Sequence, residues 1–179
     1  MVEHQHTSPD PFGVLSEPAT LTIQRLLPGP IERVWKYLTD GELRQTWLAA
    51  GDMELVPGAP FTFVWRNDSL SDVPSVRPEG FAPEHRMESR IVACEPPRKL
   101  VFTWNGSDDV SFELEPAGSR VLLTVTHRRL PGRDTLLSVA AGWHMHLDTL
   151  AAATSGTARP AFWEGWTALR DDYDRRLPG

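Results

Sequence analysis

Three histidines hold the positions best suited to proton chemistry. His127 completes the alternation Val121, Leu123, Val125, His127, so it shares one strand face with three aliphatic residues. It is either a core histidine satisfied by one hydrogen bond, or a polar anchor or acid–base group in an apolar cavity, where small shifts move its pKa through neutrality. His144 and His146 stand two apart on a helical pattern, about 200° around the axis at ~3.6 residues per turn, so they do not chelate one metal together. His146 borders the buried stripe and can reach a cavity; His144 borders its other side. No further ligands stand at metal spacing, so neither a metal nor another cofactor is expected. His4 and His6, near the N-terminus, read as solvated.

Other reactive patterns are missing. The sequence holds no nucleophile elbow, phosphate loop or HExxH helix. Gly51-Asp52 and Gly106-Ser107 are turn chemistry. Cys94 is the only cysteine, which excludes an intrachain disulfide, and it reads as a small hydrophobe in a strand. An enzyme would have to work from scattered cavity residues, so binding is the first expectation and catalysis the second.

The remaining candidates are mostly aromatic. Trp47 sits on a short helix that can cap one end of a cavity, or packs as a plain core tryptophan. Phe63 and Trp65 alternate along one strand. Together with Met87, Phe102, Trp104, Phe112, Val125, Trp143 and Leu147, they join His127 and His146 as expected ligand contacts. The strand aromatics are core by default and meet a guest only where sheet and helix stand apart. For Phe102 and Trp104 the facing itself is open, because Val101 and Thr103 are equally able to point inward.

Composition narrows the partners. The 179 residues carry a formal net charge of −6 and are 40% hydrophobic and 23% charged, an ordinary globular balance. An acidic chain sets up no global field that draws in nucleic acid or an anionic membrane, so neither is expected as a partner. No apolar run approaches the roughly 18 residues of a membrane span. The first 18 residues lack the basic start and apolar core of a signal peptide, so the cytoplasm is the expected location.

The elements follow from periodicity. Residues 1–18 read as a flexible lead-in, with Phe12, Val14 and Leu15 able to tie part of it down. Residues 19–27 alternate as a strand that Pro28-Gly29-Pro30 ends. Ile31, Val34, Trp35 and Leu38 mark one helix face. Asp40 offers a cap for a shorter helix over 42–48 that buries Leu43 and Trp47. From Asp52 the period becomes two: 52–55, 61–66, 85–95, 99–104, 110–115 and 121–127 read as strands of an antiparallel meander. Leu136, Ala140, Trp143, Leu147 and Leu150 then define an amphipathic helix over 134–154, long enough at ~1.5 Å per residue to cross the sheet. Phe162, Trp166, Leu169, Tyr173 and Leu177 form a further aromatic stripe, over 160–177.

A sheet with one apolar face must cover it, and the 134–154 helix is the only element long enough. The expectation is therefore an α+β helix-grip fold: a curved antiparallel sheet of about seven strands around a long C-terminal helix, with two short helices after the first strand. The domain spans 19–155, with the lead-in before it and an extra helix over 156–179 after it.

Three stretches carry a resemblance. Pro30, Val34, Trp35, Leu38, Thr39 and Asp40 are followed by Leu43 and Trp47. Glu95, Pro97, Lys99-Leu100-Val101-Phe102-Thr103-Trp104 come next, and then Gly142-Trp143 with Leu147 and Leu150. In this order they resemble the START/SRPBCC superfamily, and within it bacterial proteins similar to the activator of heat-shock protein 90 ATPase. The resemblance covers roughly 19–155. It implies a ligand cavity between sheet and long helix, and leaves the chemistry open among small hydrophobic-ligand binding, polyketide cyclase- or hydrolase-like catalysis and chaperone interaction. Two departures stand out, the proline-rich 67–83 loop and the aromatic 160–177 helix. Each is a candidate lid or subunit contact, and the exposed aromatics expected around Phe162, Trp163 and Trp166 point to a homodimer.

Overall fold

The computed structural model describes residues 7–16 and 19–179. Strict alternation builds the first long strand, β2 (Thr20–Pro28), which buries Leu21, Ile23, Arg25 and Leu27. The short β1 (Val14–Ser16) pairs with it antiparallel, so part of the stretch read as a flexible lead-in is a strand. His4 and His6 lie outside the described residues. β3 (Pro60–Trp65), β4 (His85–Glu95), β5 (Lys99–Trp104), β6 (Asp108–Ala117) and β7 (Arg120–Arg128) form the meander, and β2 closes against β7. The seven-stranded sheet runs β1-β2-β7-β6-β5-β4-β3, and every pairing is antiparallel.

Residues 52–55, expected as a strand, do not join the sheet; β1 supplies the seventh strand instead. Their alternation reflects Met53 and Leu55 packing half-buried on the core without a strand partner. The helices after β2 are α1 (Ile31–Thr39) and a single turn, α2 (Gly41–Arg44). Asp40 Oδ1 caps α2 by accepting the main-chain N–H groups of Glu42 (2.9 Å) and Leu43 (3.2 Å). The helix expected to bury Leu43 buries Arg44 instead. Its guanidinium donates to the carbonyls of Thr39 and Gly51 and lies over the Phe63 ring, and burial lowers its pKa to about 10.

The long helix α3 (Arg133–Ser155) buries Leu136, Ala140, Trp143, Leu147 and Leu150, the predicted stripe, and stops where Gly156 takes a left-handed φ of +70°. Sheet and helix meet in their middle. Phe63, Phe102 and Phe112 stack edge to face at 5.3 and 5.2 Å, and Phe112 meets Trp143 at 5.8 Å and 90°. The space between sheet and long helix is therefore filled at the centre of the grip.

The last helix, α4 (Phe162–Arg176), packs on α3 so closely that a Cβ on Gly165 would sit 2.5 Å from Met145 Sδ. Phe162 and Trp163 are buried within the chain itself and Trp166 is half-buried. The exposed aromatic face that motivated a homodimer is thus covered from inside. No helix among the described residues is long and apolar enough to cross a membrane.

Candidate functional site

The two departures, loop and extra helix, pack on each other. α4 starts at Ala161 without a side-chain cap of its own, which leaves its first N–H groups to find partners elsewhere. The loop supplies them: Ser71 Oγ accepts from Phe162 N at 2.9 Å and Ser75 Oγ from Trp163 N at 3.0 Å. Ser75 donates in turn to Glu164, whose other oxygen takes the Val76 N–H. The Trp163 indole donates to Asp68, and Arg159 grips Asp72 at 2.8 and 3.1 Å, holding that carboxyl near a pKa of about 2. Phe81 completes the join, its ring 5.2 Å from those of both Trp163 and Trp166.

Behind this wall lies a cavity of about 540 Å³, in the size range of small-molecule sites. It sits at one end of the grip, where β3 and β5 finish and β4 begins, beside the N-terminal half of α3. Its walls are Trp65, Trp104, Trp143, Phe162, Trp163 and Trp166, with Phe81 toward solvent. Among the described residues that line it, none is Lys, Arg, Asp or Glu.

Five polar side chains line it: Asn67, His85, Asn105, Ser138 and His146. His146 Nδ1 lies 2.9 Å from the Trp47 main-chain oxygen. A carbonyl only accepts, so Nδ1 carries the proton and Nε2 keeps a free lone pair. Burial lowers the His146 pKa to about 4, so the ring is neutral at pH 7. Asn67, on a 3-10 turn (Asn67–Leu70), also lines the cavity, and its Oδ1 is buried without a protein partner.

The other two histidines face elsewhere. Trp143 donates its indole N–H to His127 Nδ1 at 3.1 Å, which puts the His127 proton on Nε2, 3.6 Å from Asp108 Oδ2. That is too long for a full hydrogen bond, and burial lowers the His127 pKa to about 4, so the ring is neutral at pH 7. His144 points away from the cavity: its Nδ1 is 3.0 Å from the Tyr173 hydroxyl, which accepts the Gly13 N–H at 2.8 Å.

Of the expected contacts, Trp65, Met87, Trp104, Trp143 and His146 line the cavity. Trp47, Phe63, Phe102, Phe112, Val125 and Leu147 do not; they are buried in the central core. His127 is fully buried behind Trp104 and Trp143, with ring centroids at 5.1 and 6.4 Å. Phe102 faces inward and Trp104 reaches the cavity, which settles their facing. Sequence reasoning missed Asn67, Phe81 and His85 because they sit on or beside an irregular loop, where no periodicity reports facing. The aromatic stripe of α4 was read as a candidate lid or subunit contact, without naming which of its rings line the cavity.

A curved antiparallel sheet gripping a long helix, with an aromatic cavity at one end, defines a helix-grip protein of the kind expected of the START/SRPBCC superfamily. More narrowly, the chain belongs to the family described as activator of Hsp90 ATPase homolog 1-like proteins, whose model matches residues 28–155. The solution structure of the protein encoded by gene BPP1335 of Bordetella parapertussis is similar, with 38% identity over 97% of this chain and 96% of that one and a TM-score of 0.79. Two others share the fold. CalU16 of Micromonospora echinospora is 21% identical over 92% of this chain and 93% of that one, with a TM-score of 0.62. DynU16, from the dynemicin biosynthetic locus, is 20% identical over 80% of this chain and 50% of that one, with a TM-score of 0.61. No curated protein matches the chain.

Proposed function

We propose that this chain binds a small, hydrophobic, aromatic-rich molecule in the cavity between β3–β5, α3 and α4, and holds it without converting it. The observation that carries the reading is the wall itself: Trp65, Trp104, Trp143, Trp163 and Trp166, five of the chain's seven tryptophans, line one cavity. Stacking against such faces stabilises flat apolar guests and does little for reaction. Catalysis by His127 has less support, since both ring nitrogens face protein groups and the ring lies behind two tryptophans. His146 is better placed as an acceptor than as an acid. A chaperone-directed role draws only on the family's descriptive name.

The test is intrinsic tryptophan fluorescence with thermal shift against a panel of aromatic, polyketide-like and acyl-chain compounds. Binding quenches or shifts emission and raises Tm for the aromatic members. A flat response across the whole panel, with emission unchanged, rejects the reading.

A further inference from the structure

The cavity's polar atoms narrow the class of guest, an inference that rests on the binding reading above. Three observations converge. His146 Nε2 is an acceptor by elimination, because Nδ1 must donate to the Trp47 carbonyl. Asn67 lines the same cavity, and its Oδ1 is buried with no protein partner, a group that a donor on a guest would satisfy. The described lining carries no Lys or Arg, its remaining polar side chains being His85, Asn105 and Ser138, so a carboxylate or phosphate drawn inside would lose hydration without a lysine or arginine to pair with.

We infer that the guest is an uncharged aromatic molecule that donates a hydrogen bond, as a phenolic hydroxyl or a ring N–H does, to His146 Nε2, with Asn67 Oδ1 as the second acceptor. The same lining disfavours guests that must bury an anionic head among these side chains. The neutral state of His146 keeps its lone pair open across the physiological range, since burial holds the ring's pKa near 4.

Matched probes test this on the full chain: naphthol, methoxynaphthalene and naphthoate, titrated by tryptophan fluorescence at pH 7. Naphthol should bind about tenfold more tightly than methoxynaphthalene, the worth of one hydrogen bond to a buried acceptor, and naphthoate most weakly. In His146→Asn, which keeps a donor near the Trp47 carbonyl but removes the Nε2 lone pair, the naphthol preference should shrink toward unity. Asn67→Leu should reduce it more modestly. Equal binding of naphthol and methoxynaphthalene, or tighter binding of naphthoate, overturns the donor inference and leaves aromatic binding standing. Failure of all three probes removes both. The ligand series on the unaltered chain decides the matter even where a variant does not fold.

Discussion

His146 Nδ1 and the Trp47 main-chain oxygen, 2.9 Å apart, tie the middle of α3 to the turn after α2. The same bond leaves Nε2 open toward the cavity, so one imidazole serves packing with one nitrogen and recognition with the other. His146→Leu should therefore destabilise the fold by about 1–3 kcal/mol, the cost of leaving a buried carbonyl unpaired. His146→Asn should recover part of that loss. Urea unfolding of the three proteins measures it, and equal midpoints for all three would contradict the assignment.

Stability should fall steeply on mild acidification. Burial lowers the folded-state pKa of His127, His144 and His146 to about 4, from an ordinary value of 6.5. Between those values the unfolded chain binds protons that the native chain refuses. The stability these rings contribute is thus complete above pH 6.5 and drains away as pH falls toward 4, by a little over 1 kcal/mol per pH unit for each ring. His144→Asn should remove about a third of that slope. A midpoint that stays level from pH 7 to 4.5 contradicts the prediction.

Core and cavity should separate under mutation. Phe102 touches Phe63 and Phe112 in the filled centre of the grip. Phe102→Ala should cost about 3–5 kcal/mol, with little change in the affinity of any ligand that still sees folded protein. Trp166→Ala removes a half-buried cavity wall, so it should weaken aromatic binding several-fold at a smaller cost in stability. Thermal melts and fluorescence titrations on the two variants check this. Loss of binding in Phe102→Ala alone would place the guest in the centre instead.

The sequence made the regular elements legible because burial writes its period into them. The alternation over 19–27 marked a strand whose buried face is Leu21, Ile23, Arg25 and Leu27, and Leu136 to Leu150 marked a helix face. It misled at Met53 and Leu55, where two apolar residues alternate but pack on the core from a loop. The site was harder to read. The apolar side chain of Phe63 and that of Trp65 share a face, yet the first fills the core and the second lines the cavity, because depth along a strand leaves no mark on alternation. Arg44 and Phe81 needed tertiary neighbours to explain them: two main-chain carbonyls for the one, the rings of α4 for the other.

Access to the cavity should depend on side chains that cap α4 from outside it. Ser71 and Ser75 satisfy the Phe162 and Trp163 N–H groups, and Glu164 holds the loop's Val76 N–H in return. Losing such a cap costs about 1 kcal/mol, and here the loss falls on the loop and the helix start together. Ser71→Ala with Ser75→Ala should speed amide exchange across 68–83 and 162–165 while leaving β5–β7 protected. Ligand association and dissociation should both accelerate, because Phe81, the lining ring toward solvent, is held in place by its stacking on Trp163 and Trp166. Phe81→Ala should reproduce the faster exchange of ligand without the faster amide exchange, which separates the plug from the latch. Unchanged ligand kinetics in both variants would mean that guests enter by another route.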